Sequence, residues 1–336
     1  MKIISAGFIT SMGNDPEIIW DRLNNNVVLQ SKKNDFESCL SKKDKRKINR
    51  FADLATTATV QCYDEAFNRM NLTDKNKSGC IFTTSYGPLE TNMEFAKQVI
   101  ADDPDACSPI LFSNTVHNAC LGTLSIRLGI TGPSTMLMGS NQFMLTDMLL
   151  KEEKADFIMA GCLDEYNDEL AESINYQSGR EQNLKEACVV FGLVHDTKYT
   201  KGITIKKINT FNLGCNLYED MQIENYDYLQ SKLIDLTVNA DVVITNDPNT
   251  EVGKFEKEVL NSNFPSICVI DKTHDFFGNC LGADLGLKVL LSKILIEKNT
   301  IPETLLNKSV NPEQVNSIAI CSFDLTGNYT IMRLER

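Results

Sequence analysis

The feature that most limits what this chain can become is an alternation of short apolar runs and amphipathic stretches that occurs twice. In the first half, 2–9, 78–84, 135–138, 156–160 and 186–195 read as strands, while 16–23, 51–67, 89–100, 118–127 and 143–153 carry helical periodicity. Asn14 and Asp15 stand ready to cap the 16–23 helix. After residue 196 the alternation restarts. Strands are predicted over 202–210, 241–245, 266–270, 317–323 and 329–334, and helices over 226–238, 253–261 and 282–296. Strands this apolar need cover on both faces, so the order dictates a layered α/β architecture. Two pseudo-repeated halves are expected, 1–195 and 196–336. No Pro/Gly/Ser-rich linker separates them, so they pack against one another.

Charge and cysteine usage narrow the partners. The 45 Asp and Glu outweigh 33 Lys and Arg, a formal charge of −12, which argues against nucleic acid because phosphate neutralisation needs a cationic face. One local exception is 41–50, with six basic side chains and one acid; it reads as a solvated face or as a contact for an acidic protein. The apolar stretch 285–296 is broken by Lys288 and Lys293 well before it reaches bilayer length, so no membrane association is expected. Residues 1–7 read as a first strand and not as a signal peptide, which places the chain in the cytoplasm. The eleven cysteines are scattered singly with no Cys-x-x-Cys and no histidine pairs nearby, a pattern of reduced, buried thiols and not of a metal site.

Several segments read together carry a resemblance. Ile3-Ile4-Ser5-Ala6-Gly7-Phe8-Ile9-Thr10-Ser11-Met12-Gly13 is followed by basic residues leading into Arg50-Phe51-Ala52. Next come Phe112-Ser113-Asn114-Thr115-Val116-His117-Asn118-Ala119, then Gly129-Ile130-Thr131-Gly132-Pro133 and Ala155-Asp156-Phe157-Ile158-Met159-Ala160-Gly161. Near the end stand Asp271-Lys272-Thr273, Gly278-Asn279-Cys280-Leu281-Gly282-Ala283 and Ser322-Phe323-Asp324-Leu325-Thr326-Gly327. In this order, and over nearly the whole chain, they resemble the β-ketoacyl synthases of the thiolase superfamily. The chain is shorter than typical members.

The resemblance implies the thiolase fold, a five-layer α-β-α-β-α arrangement. It also implies a chemistry of carrier-bound acyl groups: a cysteine thiolate at a helix N-terminus takes the chain, two imidazoles assist decarboxylation, and a lysine orders the second histidine loop. No cofactor and no metal are implied. Counted from Gly132-Pro133, the nucleophile turn falls on 138–143, where Ser140, Asn141 and Gln142 stand and no cysteine does. The first histidine slot holds Asn246 and the second Asn279; Lys272 alone remains. An amide cannot titrate near neutrality, so neither slot relays a proton. In the loop Phe323, Asp324, Leu325, Thr326 and Gly327, the side chains of Asp324 and Thr326 replace glycines and narrow access.

Losses confined to the catalytic positions are similar to those of chain-length factors, the inactive partners of ketosynthases in aryl-polyene and polyketide synthesis. The resemblance therefore implies a heterodimer with an active β-ketoacyl synthase, with acyl carrier protein engaged indirectly. Two other readings stay open: an acyltransferase or thioester hydrolase using Ser140, and a homodimeric acyl-binding protein. His274 is expected to face solvent or to cap, His117 to bond locally, and Cys280 to be buried. Met136, Met138, Met144 and Met148 are expected to fill core.

Overall fold

Continuous apolar runs become strands here because their side chains find cover on both faces of a sheet. The computed structural model describes residues 1–70, 74–101, 107–197, 199–215, 223–306 and 311–336. In chain order it holds β1 (Lys2–Ile9), α1 (Pro16–Asn24), α2 (Lys42–Lys45), α3 (Arg50–Met70), β2 (Ser78–Thr84), α4 (Leu89–Ala101), α5 (Pro109–Ser113), α6 (Ala119–Leu128) and β3 (Ser134–Met138). Then follow α7 (Gln142–Lys151), β4 (Phe157–Asp164), α8 (Asp168–Ser178) and β5 (Ala187–Val194). The remainder comprises β6 (Ile203–Asn212), α9 (Ile223–Thr237), β7 (Val242–Ile244), α10 (Glu251–Asn263), β8 (Cys268–Ile270), α11 (Thr273–Phe277), α12 (Asp284–Lys298), β9 (Ser317–Phe323) and β10 (Asn328–Glu335).

The strands join in the order β3-β2-β4-β5-β1-β6-β10-β9-β7-β8. From either outer edge inward the sequence of strands is the same: β3-β2-β4-β5-β1 on one side and β8-β7-β9-β10-β6 on the other. Directions repeat as well. β2 is parallel to β3 and β4, and β5 is antiparallel to β4 and β1. Likewise β7 is parallel to β8 and β9, and β10 is antiparallel to β9 and β6. Among the described strands the two sets pair through β1 and β6, where Lys2 lies opposite Thr204 and Ile3 opposite Ile203.

Strand alternation sorts the layers. Cys80, Phe82, Phe157 and Met159 share a cluster with residues of α3 and α6. Their neighbours Ile81, Ile158 and Ala160 turn the other way, into a cluster with α7, α12 and the inward residues Ile318 and Ile320 of β9. Ala319, Cys321 and Phe323 face α9 and α10. Helices, sheet, helices, sheet, helices is the five-layer thiolase arrangement. At its centre α12 is buried from Asp284 through Ile296, as a helix apolar on all sides must be.

Helix α8 was not legible as one. Its sequence is mostly polar, and only a narrow stripe of Leu170, Ala171 and Ile174 is buried; the Asn167 side chain caps it by accepting the Leu170 N–H. α2, α5 and α11 span four or five residues each, too short to show a period. Asp15 caps α1 as expected, accepting from Glu17 and Ile18. Eight of the eleven cysteines are buried, Cys280 among them, and Cys39, Cys107 and Cys215 are partly so. Burial pushes the thiols of Cys62 and Cys120 up to about 12. Among the described residues, no helix is long and apolar enough to cross a membrane.

Candidate functional site

The β3 strand ends at Met138 and the chain turns sharply into α7. Gly139 takes φ of 90°, and a Cβ there would fall 2.7 Å from both Asn328 Nδ2 and Thr326 Oγ1, so only glycine fits. Ser140 is buried; its hydroxyl donates to Asp324 Oδ2 at 2.7 Å and lies 3.3 Å from Thr330 Oγ1. Asn141 occupies the N-cap position of α7 without a side-chain cap bond, and its buried Oδ1 has no partner among the described residues. Gln142 is wholly buried against the Cys162 thiol, and neither end of its carboxamide meets an oxygen or nitrogen partner.

The second half meets this turn with a saturated network. Asn246 follows β7; its N–H and Nδ2 donate to Glu256 at 2.8 and 2.6 Å, and its Oδ1 accepts from Lys288 Nζ at 2.9 Å and from the Phe323 N–H at 3.0 Å. Tyr329 donates its hydroxyl to Glu256 at 2.5 Å. Lys288, 1% exposed, also donates to the Cys321 carbonyl and pairs with Asp284 at 2.8 Å. Asp284 accepts from Ser322 Oγ at 2.9 Å and faces His274 Nε2 at the same distance. The other ring nitrogen of His274 lies 4.0 Å from Asp247, which holds Arg180 at 2.8 Å.

Charge follows from this geometry. Burial pulls the His274 imidazole down, but Asp247 and Asp284 outweigh it and raise it to about 9. Burial would raise Asp284, yet Lys288 and His274 hold it well below the usual carboxylate range. With both nitrogens facing carboxylates, the imidazolium has no lone pair to accept a proton. It serves as a fixed cation and not as a general base.

Two expectations need correcting. His274 is half-buried and not simply turned to solvent; it joins the network because α11 turns its first residues toward Asp284. Lys272 points the other way, donating to the carbonyls of Thr304 and Leu306 at 3.4 and 3.1 Å, so it ties the start of α11 to the 303–306 segment. The ammonium within the network is Lys288, which shares Asp284 with the His274 imidazolium. A sequence signal for it existed: a lysine inside an apolar run is tolerated in a core only beside an anion, and Asp284 stands one helical turn before it. Glu256, Tyr329, Asp247 and Arg180 gave no comparable signal.

Asn279 is held locally. Its Oδ1 accepts the Leu281 N–H at 3.1 Å, its Nδ2 reaches Gln182 at 3.4 Å, and its backbone bridges to Leu184. Asn246, His274, Asn279 and Asp284 line one small cavity together with Phe323, Asp324 and Leu325. Its volume is about 20 Å³, room for roughly one water and not for an acyl chain. Leu325 packs on an apolar patch containing Tyr166, Leu170, Ile174 and Leu281. Ser140, Asn141 and Gln142 do not line this cavity; the 323–327 loop stands between.

The methionines also depart from expectation. Met136 packs against the core, but Met138, Met144 and Met148 are 48%, 44% and 49% exposed. For Met138 the reason is topological: β3 is an end strand, and among the described residues no strand pairs with its free edge. Ile126, Phe112 and Val116 are exposed as well. A groove of about 740 Å³ runs along β3 and α6, lined by Val116, His117, Leu121 and Met136 through Met138.

Residues 20–152 match the family described as beta-ketoacyl synthase, N-terminal domain. The 3-oxoacyl-[acyl-carrier-protein] synthase 2 of Vibrio cholerae is 29% identical over 100 residues, 30% of this chain and 24% of that protein. The ketosynthase ApeO in complex with its chain length factor ApeC, from Xenorhabdus doucetiae, superposes with a TM-score of 0.82 at 14% identity, covering 99% of this chain and 97% of that one. Residues 20–152 are thus similar to the N-terminal domain of β-ketoacyl synthases, and the whole chain shares the fold of these ketosynthase structures. The ishigamide ketosynthase/chain length factor shares the fold too, with a TM-score of 0.79 at 15% identity over 99% of this ketosynthase-like chain and 98% of that one. The aligned segment spans only 24% of the Vibrio relative. The family match ends in the linker after α7, so it includes the 138–143 turn but neither amide slot.

Proposed function

We propose that this ketosynthase-like chain is a non-catalytic subunit, a chain-length factor, that pairs with an active β-ketoacyl synthase and limits the acyl chain its partner makes. The observation that carries this reading is the pair of amide slots. Asn246 and Asn279 are bonded into the fold, no thiol stands in the 138–142 turn, and the one imidazole nearby is held as a cation. Without a thiolate there is no thioester, and without a titrating base there is no proton relay.

The uncovered edge of β3 supplies the docking surface. An exposed strand edge flanked by Met138, Met144 and Met148 invites pairing with another chain, and flexible thioethers suit contact with a long apolar product. Packing volume there then sets where elongation stops. Carrier-protein docking we assign to the active partner, with the basic run 41–50, exposed over 41–47, as the local candidate on this chain.

Ser140 does not suit an acyl-transfer role. Its hydroxyl is buried, donates to Asp324, and has no imidazole to take its proton. The test is co-expression with a ketosynthase that retains its cysteine and histidines. A one-to-one heterodimer is expected, with no elongation of carrier-bound substrate by this chain alone, and Met138→Glu should abolish pairing while leaving the fold intact. A homodimer that ignores such partners, or unaided elongation, would overturn the reading.

A further inference from the structure

Sulfur is divided unevenly over this chain. Met12, Met159 and Met332 are wholly buried, whereas Met138, Met144 and Met148 stand exposed. Eight cysteines are buried and Cys39, Cys107 and Cys215 partly so, which leaves these three methionines as the sulfur-bearing side chains most open to solvent among the described residues. Burial pushes the thiols of Cys162 and Cys268 up to about 12 and about 11, so at neutral pH they keep their protons and are poor nucleophiles. Met138 ends β3 and lines the groove beside α6. Met144 and Met148 stand four residues apart on one face of α7, whose Leu145 and Leu149 pack with Leu137 on the opposite side of the sheet. Thioethers therefore flank the unpaired edge of β3 from both sides. We propose that Met138, Met144 and Met148 form a reversible oxidation site: a peroxide converts them to sulfoxides on the unassembled chain, and the oxidised chain no longer pairs.

The chemistry needs only a two-electron oxidant of the hydroperoxide class. The thioether sulfur donates a lone pair to the peroxide oxygen, an S–O bond forms as the O–O bond breaks, and the remainder of the peroxide leaves as water or an alcohol. The sulfur is oxidised by two electrons and the peroxide reduced by two. A methionine sulfoxide reductase reverses the step with a dithiol, which becomes a disulfide while the oxygen departs as water.

Position decides what the added oxygen does. On the free chain a sulfoxide at any of the three is hydrogen-bonded by water, so the fold is left as it was. In a pair formed across the β3 edge, the same oxygen leaves water for a surface that includes Val116, Leu121 and Leu137, where no donor awaits it. An acceptor exposed before association and buried without a partner after it weakens association and not folding, by about tenfold for each sulfoxide buried. The apolar, adaptable thioether that suits the interface is thus also the group that a peroxide converts into one that does not.

The effect on pairing rests on the function proposed above; the preference of the oxidant for these three sulfurs does not. The full chain treated with hydrogen peroxide at neutral pH should gain oxygen at Met138, Met144 and Met148 about tenfold faster than at Met12, Met159 and Met332, as mapped by peptide mass spectrometry. Equal rates at all six would overturn the site. Freed of peroxide and mixed with a ketosynthase that retains its cysteine and histidines, the treated chain should bind about a hundredfold more weakly than before treatment, and methionine sulfoxide reductase should restore binding. In a variant carrying Met138→Leu, Met144→Leu and Met148→Leu, the same treatment should leave that variant's own affinity where it stood. Equal pairing of the wild-type chain before and after oxidation would overturn the effect, and so would an equal loss in the leucine variant, which would place the damage at another residue. An untreated chain that pairs with no ketosynthase would overturn the function proposed above and with it the effect on pairing, and the oxidation rates alone would then decide the site.

Discussion

The two sets of strands share an order and a pattern of directions, yet they end differently at the site. In the second, every replacement has been absorbed: Asn246, Glu256, Lys288, Asp284 and His274 form a chain of bonds with hardly a free atom. In the first, the turn keeps its backbone form, and the polar atoms around it are left unpaired. The two asparagines of the second half are bonded into the fold, whereas Asn141 and Gln142 of the first keep polar atoms unpaired among the described residues. The difference predicts opposite responses to substitution on the two sides.

The largest effect belongs to the saturated side. Lys288→Met removes the buried ammonium that faces Asp284 and the Asn246 carbonyl oxygen. Breaking one partner of a buried pair should cost about 3–5 kcal/mol, read as a fall in the urea midpoint. A loss below about 1 kcal/mol would mean the network carries little and the contrast is false.

Next in size is a pH effect. The folded imidazole of His274 titrates at about 9, above its ordinary 6.5. A raised folded value stabilises fully below the unfolded value, and that stability is lost as pH rises through the folded one. Urea unfolding should therefore weaken between pH 6.5 and 9 by up to about 3 kcal/mol, and His274→Gln should flatten the profile. The Asp247 and Asp284 carboxylates face the ring, and Lys288 stands behind them, so Asp284→Asn should lower the midpoint of the transition.

Much of the fold could be read ahead of the structure because strands announce themselves by continuous apolar runs, whatever they later pack against. The site was less legible, for reasons that particular residues make plain. Asn246 and Asn279 could be found by position, since both sit in loops fixed by neighbouring strands. Lys288 left a trace, a lysine inside an apolar run one turn after Asp284, but the surroundings of His274 did not, because Asp247 is distant in sequence. The methionines were visible as a group, but burial or exposure turned on β3 being an end strand, which is a property of the whole sheet.

A smaller loss should follow Asn246→His, the replacement that restores an imidazole. A ring offers no pair of oxygen lone pairs to Lys288 and the Phe323 N–H while also donating to Glu256. About 2 kcal/mol of stability should be lost. Elongation should remain absent with carrier-bound substrate, because the turn still lacks a thiol. Appearance of condensation in this variant would show that the histidine, and not the thiol, had been the missing group.

The smallest effect should also have the opposite sign. Gln142 is wholly buried, and among the described residues its carboxamide meets no oxygen or nitrogen partner and only the weakly bonding Cys162 thiol, so it bears most of the cost of desolvation. Gln142→Met keeps the volume and the unbranched shape while removing both polar atoms. Urea unfolding should show stabilisation by up to about 1 kcal/mol, where the same class of change at Lys288 is strongly destabilising. A loss of about 2 kcal/mol instead would mean that Gln142 is held by ordered water, and that the first half is as fully satisfied as the second.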